Sequence, residues 1–240
     1  MKYNILFPVL NEERRIENGI IKTVDFMEKY FKGIYKITVI DNGSIDETEK
    51  IMNKLVKKYS TVNYLRLNEK GVGIAFREGV KRNTCDIVGY MDIDLSTKLE
   101  HLLEVKNIFE TNEDIKIVNG SRNSKESNVI GRKLKRSITS HGLKWILKIV
   151  LGMKIDDAIC GFKFFRKETV EYLIKKSSDR KGWFYCIELL LRAERLGIKI
   201  KEIPVTWEDD YDTHVNTIKL IKSYLKDIFK LFVEFRINGK

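Results

Sequence analysis

Two aspartates separated by one residue, Asp92 and Asp94, follow the apolar run 87–91. Carboxylates this close repel each other unless a cation lies between them. Carboxylate oxygens suit Mg²⁺ or Mn²⁺, and either ion can in turn hold a diphosphate. The D-x-D pattern is common, and an aspartate after a strand is also typical of a turn. The pair therefore predicts a divalent-cation site for a phosphorylated ligand if neighbouring elements bring further polar groups to it.

The first half of the chain predicts elements that would do this. Apolar runs alternate with segments of helical periodicity, a pattern typical of a mostly parallel sheet flanked by helices. The predicted strands are residues 5–7, 37–40, 62–67, 87–91 and 115–118. Beyond Gly120 the alternation breaks, and the predicted elements are a basic amphipathic segment at 133–151, a turn at Gly161, short helices after Arg166 and through 188–196, a strand at 198–205 and an amphipathic helix at 215–235. We predict one domain, residues 1–240.

Polar residues cluster where the predicted strands end. In open parallel sheets, ligands bind outside the carboxyl ends of the strands. Each residue alone fits a helix cap or a turn, and Ser44 with Glu47 matches a capping box. Together they predict a binding site at one edge of the sheet, formed by Asn11, Glu12, Asp41, Asp92, Asp94 and Arg122.

A glycine-rich segment, Lys70-Gly71-Val72-Gly73, precedes a predicted helix. Such a segment can bring backbone N–H groups and an amine close to a phosphate or a base. Phe76 stands where the dinucleotide-binding fingerprint has its third glycine, and the chain contains no P-loop motif. Dinucleotide-dependent oxidoreductases and P-loop hydrolases are therefore disfavoured.

The positive charge of the chain is concentrated. There are 45 Lys and Arg residues against 34 Asp and Glu, a net charge of +11, and the stretch from Arg122 to Lys148 holds eight basic residues and one acidic residue. This stretch predicts an anionic partner: a nucleic acid, a membrane surface or a phosphorylated substrate. No nucleic acid is expected, because stacking aromatic residues do not alternate with the basic ones and no recognition motif occurs.

Three features bear on location. The three cysteines include no C-x-x-C pair, so we expect reduced thiols. No stretch approaches the roughly 20 apolar residues of a membrane-spanning helix. Residues 5–10 lack the cleavage pattern of a secretory signal. We expect a cytoplasmic protein.

Four motifs in order resemble the nucleotide-sugar-binding half of family 2 glycosyltransferases with the GT-A fold: FPVLNEE (7–13), VIDNGSID (39–46), KGVGIAFREG (70–79) and MDIDLS (91–96). Downstream, GSR (120–122), DAICGFK (157–163) and EIPVTW (202–207) resemble the branch that glycosylates polyprenyl phosphates, the dolichyl-phosphate mannose and glucose synthases. The resemblance covers nearly the whole chain. It implies an α/β GT-A fold with a nucleotide-sugar-binding half (1–122), an acceptor-binding half (123–212) and a C-terminal amphipathic helix (213–240).

The resemblance also implies a role for each matching residue. Asp92 and Asp94 would hold the donor diphosphate through Mg²⁺ or Mn²⁺. Asp94, Asp157 and Arg122 would act in catalysis. Asp157 would orient the sugar or the acceptor, with a turn aspartate as the alternative. Other implied roles are donor binding by Pro8, Glu12, Asp41 and Lys70 and acceptor-phosphate binding by Arg122 and Arg136.

Three positions depart from the family pattern. Asn42 stands where an aspartate is commoner, and Cys186 replaces the usual aspartate two residues before Glu188. Thr213-His214 stands where a Ser-Lys pair is frequent. We expect Glu188 to be a structural partner inside its helix.

The predicted function is inverting transfer of a hexose from UDP-glucose or GDP-mannose to a polyprenyl or dolichyl phosphate. A phosphate acceptor is already anionic near pH 7 and needs no general base, which suits a chain with three histidines. The alternatives are a family 2 enzyme that extends a soluble glycan or surface polysaccharide, and a nucleotidyltransferase that makes nucleotide sugars.

A lipid-linked acceptor also implies peripheral association with the cytoplasmic face of a membrane, and it admits a membrane-anchored partner subunit. The segment 133–151, with Trp145, and the helix 215–235 are the candidate membrane-facing elements. The alternative for each is a helix that packs on the sheet and keeps its lysines in solvent.

Overall fold

The computed structural model describes the backbone of residues 1–131, 134–208 and 217–237 and the side chains of residues 1–131, 141–208 and 222–236. Its strands are β1 (Tyr3–Val9), β2 (Tyr35–Asp41), β3 (Val62–Arg66), β4 (Ile87–Met91), β5 (Ile117–Ser121), β6 (Asn128–Ile130), β7 (Phe162–Arg166), β8 (Ile200–Pro204) and β9 (Thr206–Glu208). Its helices are α1 (Ile16–Tyr30), α2 (Thr48–Lys58), α3 (Val72–Lys81), α4 (His101–Thr111), α5 (Leu134–Leu151), α6 (Lys167–Lys176), α7 (Phe184–Arg195) and α8 (Thr217–Ile237).

Seven strands form the central sheet in the order β3-β2-β1-β4-β7-β5-β8. β7 is antiparallel to both of its neighbours, and the other pairs are parallel. β6 and β9 form a separate parallel pair. The α/β fold class with a mostly parallel sheet is therefore confirmed.

β7 is the strand of the central sheet that the sequence pattern missed. Its residues, Phe162–Arg166, are buried except for the last, and the buried set includes Lys163. A strand covered on both faces shows no apolar-polar alternation, so its pattern does not identify it. The prediction of only a turn and a short helix in this region is wrong in omitting the strand.

Two apolar layers cover the faces of the sheet. Ile5 and Phe7 pack with α1, α2 and α4 on one face, whereas Leu6 packs with α3, α6 and α7 on the other, as expected for alternating side chains. Residues 184–193 of α7 are all buried. α8 packs on α7, with the rings of Phe184 and Tyr224 5.7 Å apart, so α7 lies between the sheet and the C-terminal helix.

The parallel strands bring their carboxyl ends to one edge of the sheet. The pairing of β1 with β2 aligns Val9 with Asp41. α1 packs closely on the loop that follows β4, since a Cβ on Gly19 would lie 2.4 Å from the carbonyl oxygen of Ile93. The helix backbone therefore supports the segment that carries Asp92 and Asp94.

Candidate active site

Asp41 ends β2 as a fully buried carboxylate with both oxygens engaged. Its Oδ1 accepts hydrogen bonds from the backbone N–H of Ser44 at 2.8 Å and the Ser44 hydroxyl at 2.6 Å, and its Oδ2 accepts one from the Tyr64 hydroxyl at 2.6 Å. Burial and the hydrogen bond to Asp41 raise the pKa of Tyr64, so the phenol remains a donor at neutral pH. Asp41 is thus held in one orientation by the protein itself.

The loops after β1 and β2 are joined by hydrogen bonds. The backbone N–H of Asn11, a residue with φ of 55°, donates to the Ser44 hydroxyl at 2.8 Å, and the Asn11 side chain accepts from the N–H of Ile45 at 2.9 Å. The N–H of Glu12 donates to the Thr48 hydroxyl at 2.9 Å. The capping-box prediction is wrong, because α2 begins at Thr48 and Ser44 instead joins Asp41 to the β1 loop.

Asp92 and Asp94 both lie partly exposed at the carboxyl end of β4. Leu95 has φ of 55°, and its N–H donates to the carbonyl of Asp92 at 3.1 Å, which makes a tight turn. Burial first, and then the charge of Asp94, raise the pKa of Asp92 to about 7, although the charges of Arg122 and Lys163 oppose that rise. The pair therefore carries negative charge that the chain only partly balances.

A divalent cation fits this donor set. Among the described residues, no cluster of three or more His, Cys, Asp or Glu side chains is arranged to hold a metal by itself. Mg²⁺ commonly binds through one or two carboxylates and completes its shell with substrate phosphates and water. Two neighbouring carboxylates, one with a raised pKa, match that arrangement.

Gly161 lies directly against Asp92. A Cβ at position 161 would stand 2.0 Å from Asp92 Oδ2 and 2.8 Å from Oδ1. The antiparallel pairing of β4 with β7 aligns Met91 with Phe162 and so brings this glycine under the carboxylate. Sequence reasoning placed Gly161 in a turn, because this contact depends on a strand pairing between distant segments.

Arg122 and Asp157 form a buried ion pair at the end of β5. Arg122 Nε and Nη2 donate to the two carboxylate oxygens of Asp157 at 2.8 and 3.0 Å, and the backbone N–H of Arg122 adds a third bond at 3.0 Å. The guanidinium also lies 4.7 Å from the centre of the Trp207 ring. Burial alone would raise the pKa of Asp157, but the charge and hydrogen bonds of Arg122 outweigh it and lower that pKa to about 2.

Glu202 on β8 fixes the chain around this ion pair. Its Oε1 accepts hydrogen bonds from Asn119 Nδ2 and from the N–H of Asp157, both at 3.1 Å, and its Oε2 accepts from the N–H of Asp156 at 2.8 Å. The motif that contains Glu202 and Trp207 was visible in the sequence. Their contacts with Asp157 and Arg122 were not, since they join segments about 45 and 85 residues apart.

The glycine-rich segment is occupied by contacts within the chain. The N–H of Gly71 donates to Asn42 Oδ1 at 3.2 Å, and the N–H of Gly73 donates to the carbonyl of Lys181 at 2.8 Å. These two N–H groups therefore do not point to a phosphate, contrary to the sequence expectation. The Asn42 amide also donates to the carbonyl of Val9 at 3.1 Å, a bond that an aspartate carboxylate could not make.

The other predicted residues are placed as follows. Pro8 lies in β1, partly exposed, beside Ile40. Glu12 is partly exposed near Arg15, with its carboxylate 3.4 Å from Arg15 Nη1. Lys70 is exposed ahead of α3. The side chain of Arg136 and the pair Thr213-His214 lie outside the described residues, while Cys186 and Glu188 are buried in α7.

The mostly parallel sheet flanked by helices is an α/β fold of the GT-A glycosyltransferase type. The chain belongs to glycosyl transferase family 2, whose model matches residues 4–174. The resemblance noted in the sequence is thereby confirmed.

The similarity to known proteins extends over nearly the whole chain. Glycosyltransferase AglD of Haloferax volcanii is 29% identical over 242 residues, covering 100% of this chain and 38% of AglD. The dolichyl-phosphate beta-glucosyltransferases ALG5D and ALG5A of Trichomonas vaginalis are 26% and 28% identical, and each match covers 98% of this chain and 74% of the relative. The chain thus spans little more than a third of AglD and about three quarters of the two other relatives.

Solved structures share the fold. Glucosyl-3-phosphoglycerate synthase from Mycobacterium tuberculosis, in complex with Mn²⁺, UDP and glucosyl-3-phosphoglycerate, superposes with a TM-score of 0.69 at 17% identity, covering 97% of this chain and 79% of that one. The complex of the same synthase with Mg²⁺ and UDP gives a TM-score of 0.68 at 18% identity, covering 97% and 78%.

Replacing Asp157 by Asn tests the energetic weight of the ion pair. The variant leaves a buried arginine without its counter-charge, so we expect it to lose about 3 kcal/mol of unfolding free energy. The free energy is to be measured by urea denaturation near pH 7. Asp114→Asn is the matched control, since Asp114 pairs with Lys199 at the surface.

Acid titration gives the same pair a second signature. Because the pKa of Asp157 lies below its ordinary value, the pair contributes stability above about pH 4, and that contribution is lost as the pH falls towards 2. The difference in stability between wild type and Asp157→Asn should therefore shrink over this range. A difference independent of pH would show that the charge of Asp157 is not what stabilises the fold.

Proposed function

We propose that the protein transfers a hexose from a nucleoside-diphosphate sugar to a polyprenyl phosphate, in one displacement that inverts the anomeric carbon. Glucose is the favoured hexose, because two relatives that match 98% of the chain are named dolichyl-phosphate beta-glucosyltransferases. The chain spans only 38% of the length of AglD. The activity, the donor and the acceptor are therefore all part of this proposal.

The observation that carries the proposal is the convergence of three units at one edge of the sheet. Asp41 lies at the end of β2, the acid pair Asp92 and Asp94 at the end of β4, and Arg122 with Asp157 at the end of β5. Ligands bind at such edges in open α/β sheets. The arrangement offers a rigid acid to the donor, a charged pair to its diphosphate and an arginine beside them.

On the donor side, residues 1–122 would form the nucleotide-sugar site. The loops after β1 and β2, with Pro8, Glu12 and Asp41, would bind the base and ribose, and Lys70 would lie at the entrance. Asp92 and Asp94 would hold Mg²⁺ or Mn²⁺. That cation would supply positive charge to the departing nucleoside diphosphate.

On the acceptor side, residues 123–212 would receive the lipid phosphate. Asp157 holds the Arg122 guanidinium in a fixed plane, so the arginine is oriented without a ligand. Arg122 would attract the phosphate, and Asp94 and Asp157 would help to position the reacting sugar. The acceptor oxygen is already anionic, so its attack on the sugar needs positioning and charge balance rather than a base. Arg136 stays a predicted second phosphate ligand.

The central test is an assay with radiolabelled UDP-glucose or GDP-mannose, a polyprenyl phosphate and either Mg²⁺ or Mn²⁺. We expect the wild type to produce an organic-soluble glycolipid. The transfer rate of Asp94→Ala should fall about 100-fold or more, because the cation that balances the charge of the leaving group would lose a ligand. Asp114→Ala serves as the control. Label transferred only to soluble glycans, or pyrophosphate released from a nucleoside triphosphate, would replace this function with one of the alternatives.

Gly161→Ala tests whether the position of Asp92 matters for the donor. The added methyl group would collide with the Asp92 carboxylate and displace it. We expect cation-dependent donor affinity, measured by calorimetry, to fall at least about tenfold, or about 1.4 kcal/mol. Gly142→Ala is the matched control, because a Cβ there meets nothing within 4 Å. Equal donor affinity in both variants would show that the position of Asp92 does not matter for donor binding.

The lipid acceptor requires contact with a membrane, and the surface of α5 and α8 supports one. These helices pack against each other. Trp145 and Ile149 on α5 and Phe229 on α8 are 62%, 78% and 67% exposed. Exposed Lys222, Lys226 and Lys230 lie on α8. Large apolar side chains among lysines suit the headgroup region of an anionic bilayer.

Location follows from the same proposal. Among the described helices, none is both long and apolar enough to cross a bilayer. The three cysteines are free and buried, as is typical of proteins in a reducing compartment. The free cysteines support our placing the reaction at the cytoplasmic face of the membrane, and a membrane-anchored partner subunit stays a prediction.

A double variant, Trp145→Glu with Phe229→Glu, tests the membrane surface. We expect its sedimentation with vesicles of phosphatidylglycerol and phosphatidylcholine to fall severalfold, since both changes place charge at the lipid boundary. Activity on a short, water-soluble isoprenyl phosphate should be retained. Tyr172→Glu, which alters an exposed aromatic residue on α6, is the control. Unchanged sedimentation of the double variant would exclude this surface.

A further inference from the structure

The segment 177–182, which connects α6 to α7, packs against the glycine-rich start of α3. The carbonyl of Lys181 accepts the N–H of Gly73 at 2.8 Å, and the carbonyl of Arg180 accepts Arg77 Nη1 at 2.9 Å. A Cβ on Gly71 would lie 2.3 Å from the Lys181 carbonyl oxygen, and one on Gly73 would lie 2.5 Å from that of Arg180. The two segments are therefore in backbone contact, and a shift of one displaces the other.

A single buried carboxylate holds the 177–182 segment. Glu188 on α7 accepts hydrogen bonds from the Ser178 N–H at 2.9 Å, the Ser178 hydroxyl at 2.6 Å and Arg192 Nε at 2.8 Å, and it also pairs with Arg180. Its side chain is fully buried. Hydrogen bonds that involve charged groups are roughly twice as strong as neutral ones, so the segment is fixed at Ser178 and Arg180.

The glycine-rich start of α3 in turn contacts the Asp41 region. Gly71 donates to Asn42, and Asn42 is bonded through its backbone and side chain to the carbonyl of Val9. Asn42 directly follows Asp41. A continuous series of short contacts therefore leads from Glu188 through the 177–182 segment and Gly71 to the proposed donor site.

We propose that Glu188 is a positioning residue for the donor site. It holds the 177–182 segment against Gly71 and Gly73, and so fixes the wall of the site beside Asp41. The inference rests on the proposed function, which defines a donor site and an acceptor site. It assigns Glu188 to the positioning of the donor site rather than of the acceptor site. It extends the sequence expectation that Glu188 serves only as a partner inside its helix.

The test compares Glu188→Gln with Glu234→Gln. Glutamine keeps the shape of Glu188 but removes the charge that holds Arg180 and Ser178. Glu234 pairs with Arg192 on α7 and makes no bond to the 177–182 segment that the structure describes. We expect Glu188→Gln to raise the donor KM about tenfold or more with little change in the acceptor KM, and Glu234→Gln to leave both constants unchanged.

A second variant keeps the test decisive if Glu188→Gln does not fold. Arg77→Gln removes the bond to the Arg180 carbonyl from the opposite side, on α3, and should raise the donor KM in the same selective way. Equal changes in donor and acceptor KM, or lowered thermal stability with both constants unchanged, would overturn the positioning role. Calorimetry of the wild type with UDP-glucose and Mn²⁺ distinguishes a failure of the positioning role from a failure of the proposed function. If the wild type does not bind UDP-glucose, the proposed function itself is contradicted.

Discussion

A carboxylate placed beside a second carboxylate, and largely surrounded by protein, requires positive charge nearby. This requirement explains the environment of Asp92. Its pKa is raised by burial and by Asp94, while Arg122 and Lys163 act in the opposite direction. Lys163 is fully buried in the middle of the sheet and donates to the carbonyl of Cys160. A buried ammonium group is costly unless anionic partners compensate it. Burial lowers the pKa of Lys163, and the negative charge of Asp157 offsets that lowering only in part.

Three aspartates at the same edge of the sheet have three different surroundings. Asp41 is held by hydrogen bonds from Ser44 and Tyr64, with Arg66 Nη1 3.9 Å from its Oδ2. Asp157 is held by the charge of Arg122, which donates at 2.8 Å. Asp92 instead faces another acid. The first two are therefore satisfied within the chain, and Asp92 retains the strongest electrostatic demand for an external cation. Identical side chains thus differ in charge balance because of their neighbours alone.

The sequence predicted the parts of the molecule that depend on local pattern. The strands β1 to β4 and the polar residues after them were predicted correctly, because apolar runs and strand ends are visible in a short window. β7 was missed because a strand buried on both faces has no alternating pattern. The amides of Gly71 and Gly73, the role of Ser44 and the bonds of Glu202 depend on partners distant in the chain, and no local pattern reports them. The assigned roles of the site residues stay predictions.

The position of β7 has a consequence for how the molecule can be divided. This strand comes from the later part of the chain, yet it lies between β4 and β5, which both belong to the first 122 residues. A fragment ending at residue 122 would expose the edges of both strands, and unpaired edges invite aggregation. The two portions of the sequence therefore complete one sheet, and residues 1–122 depend on a strand supplied by the later portion to cover the edges of β4 and β5.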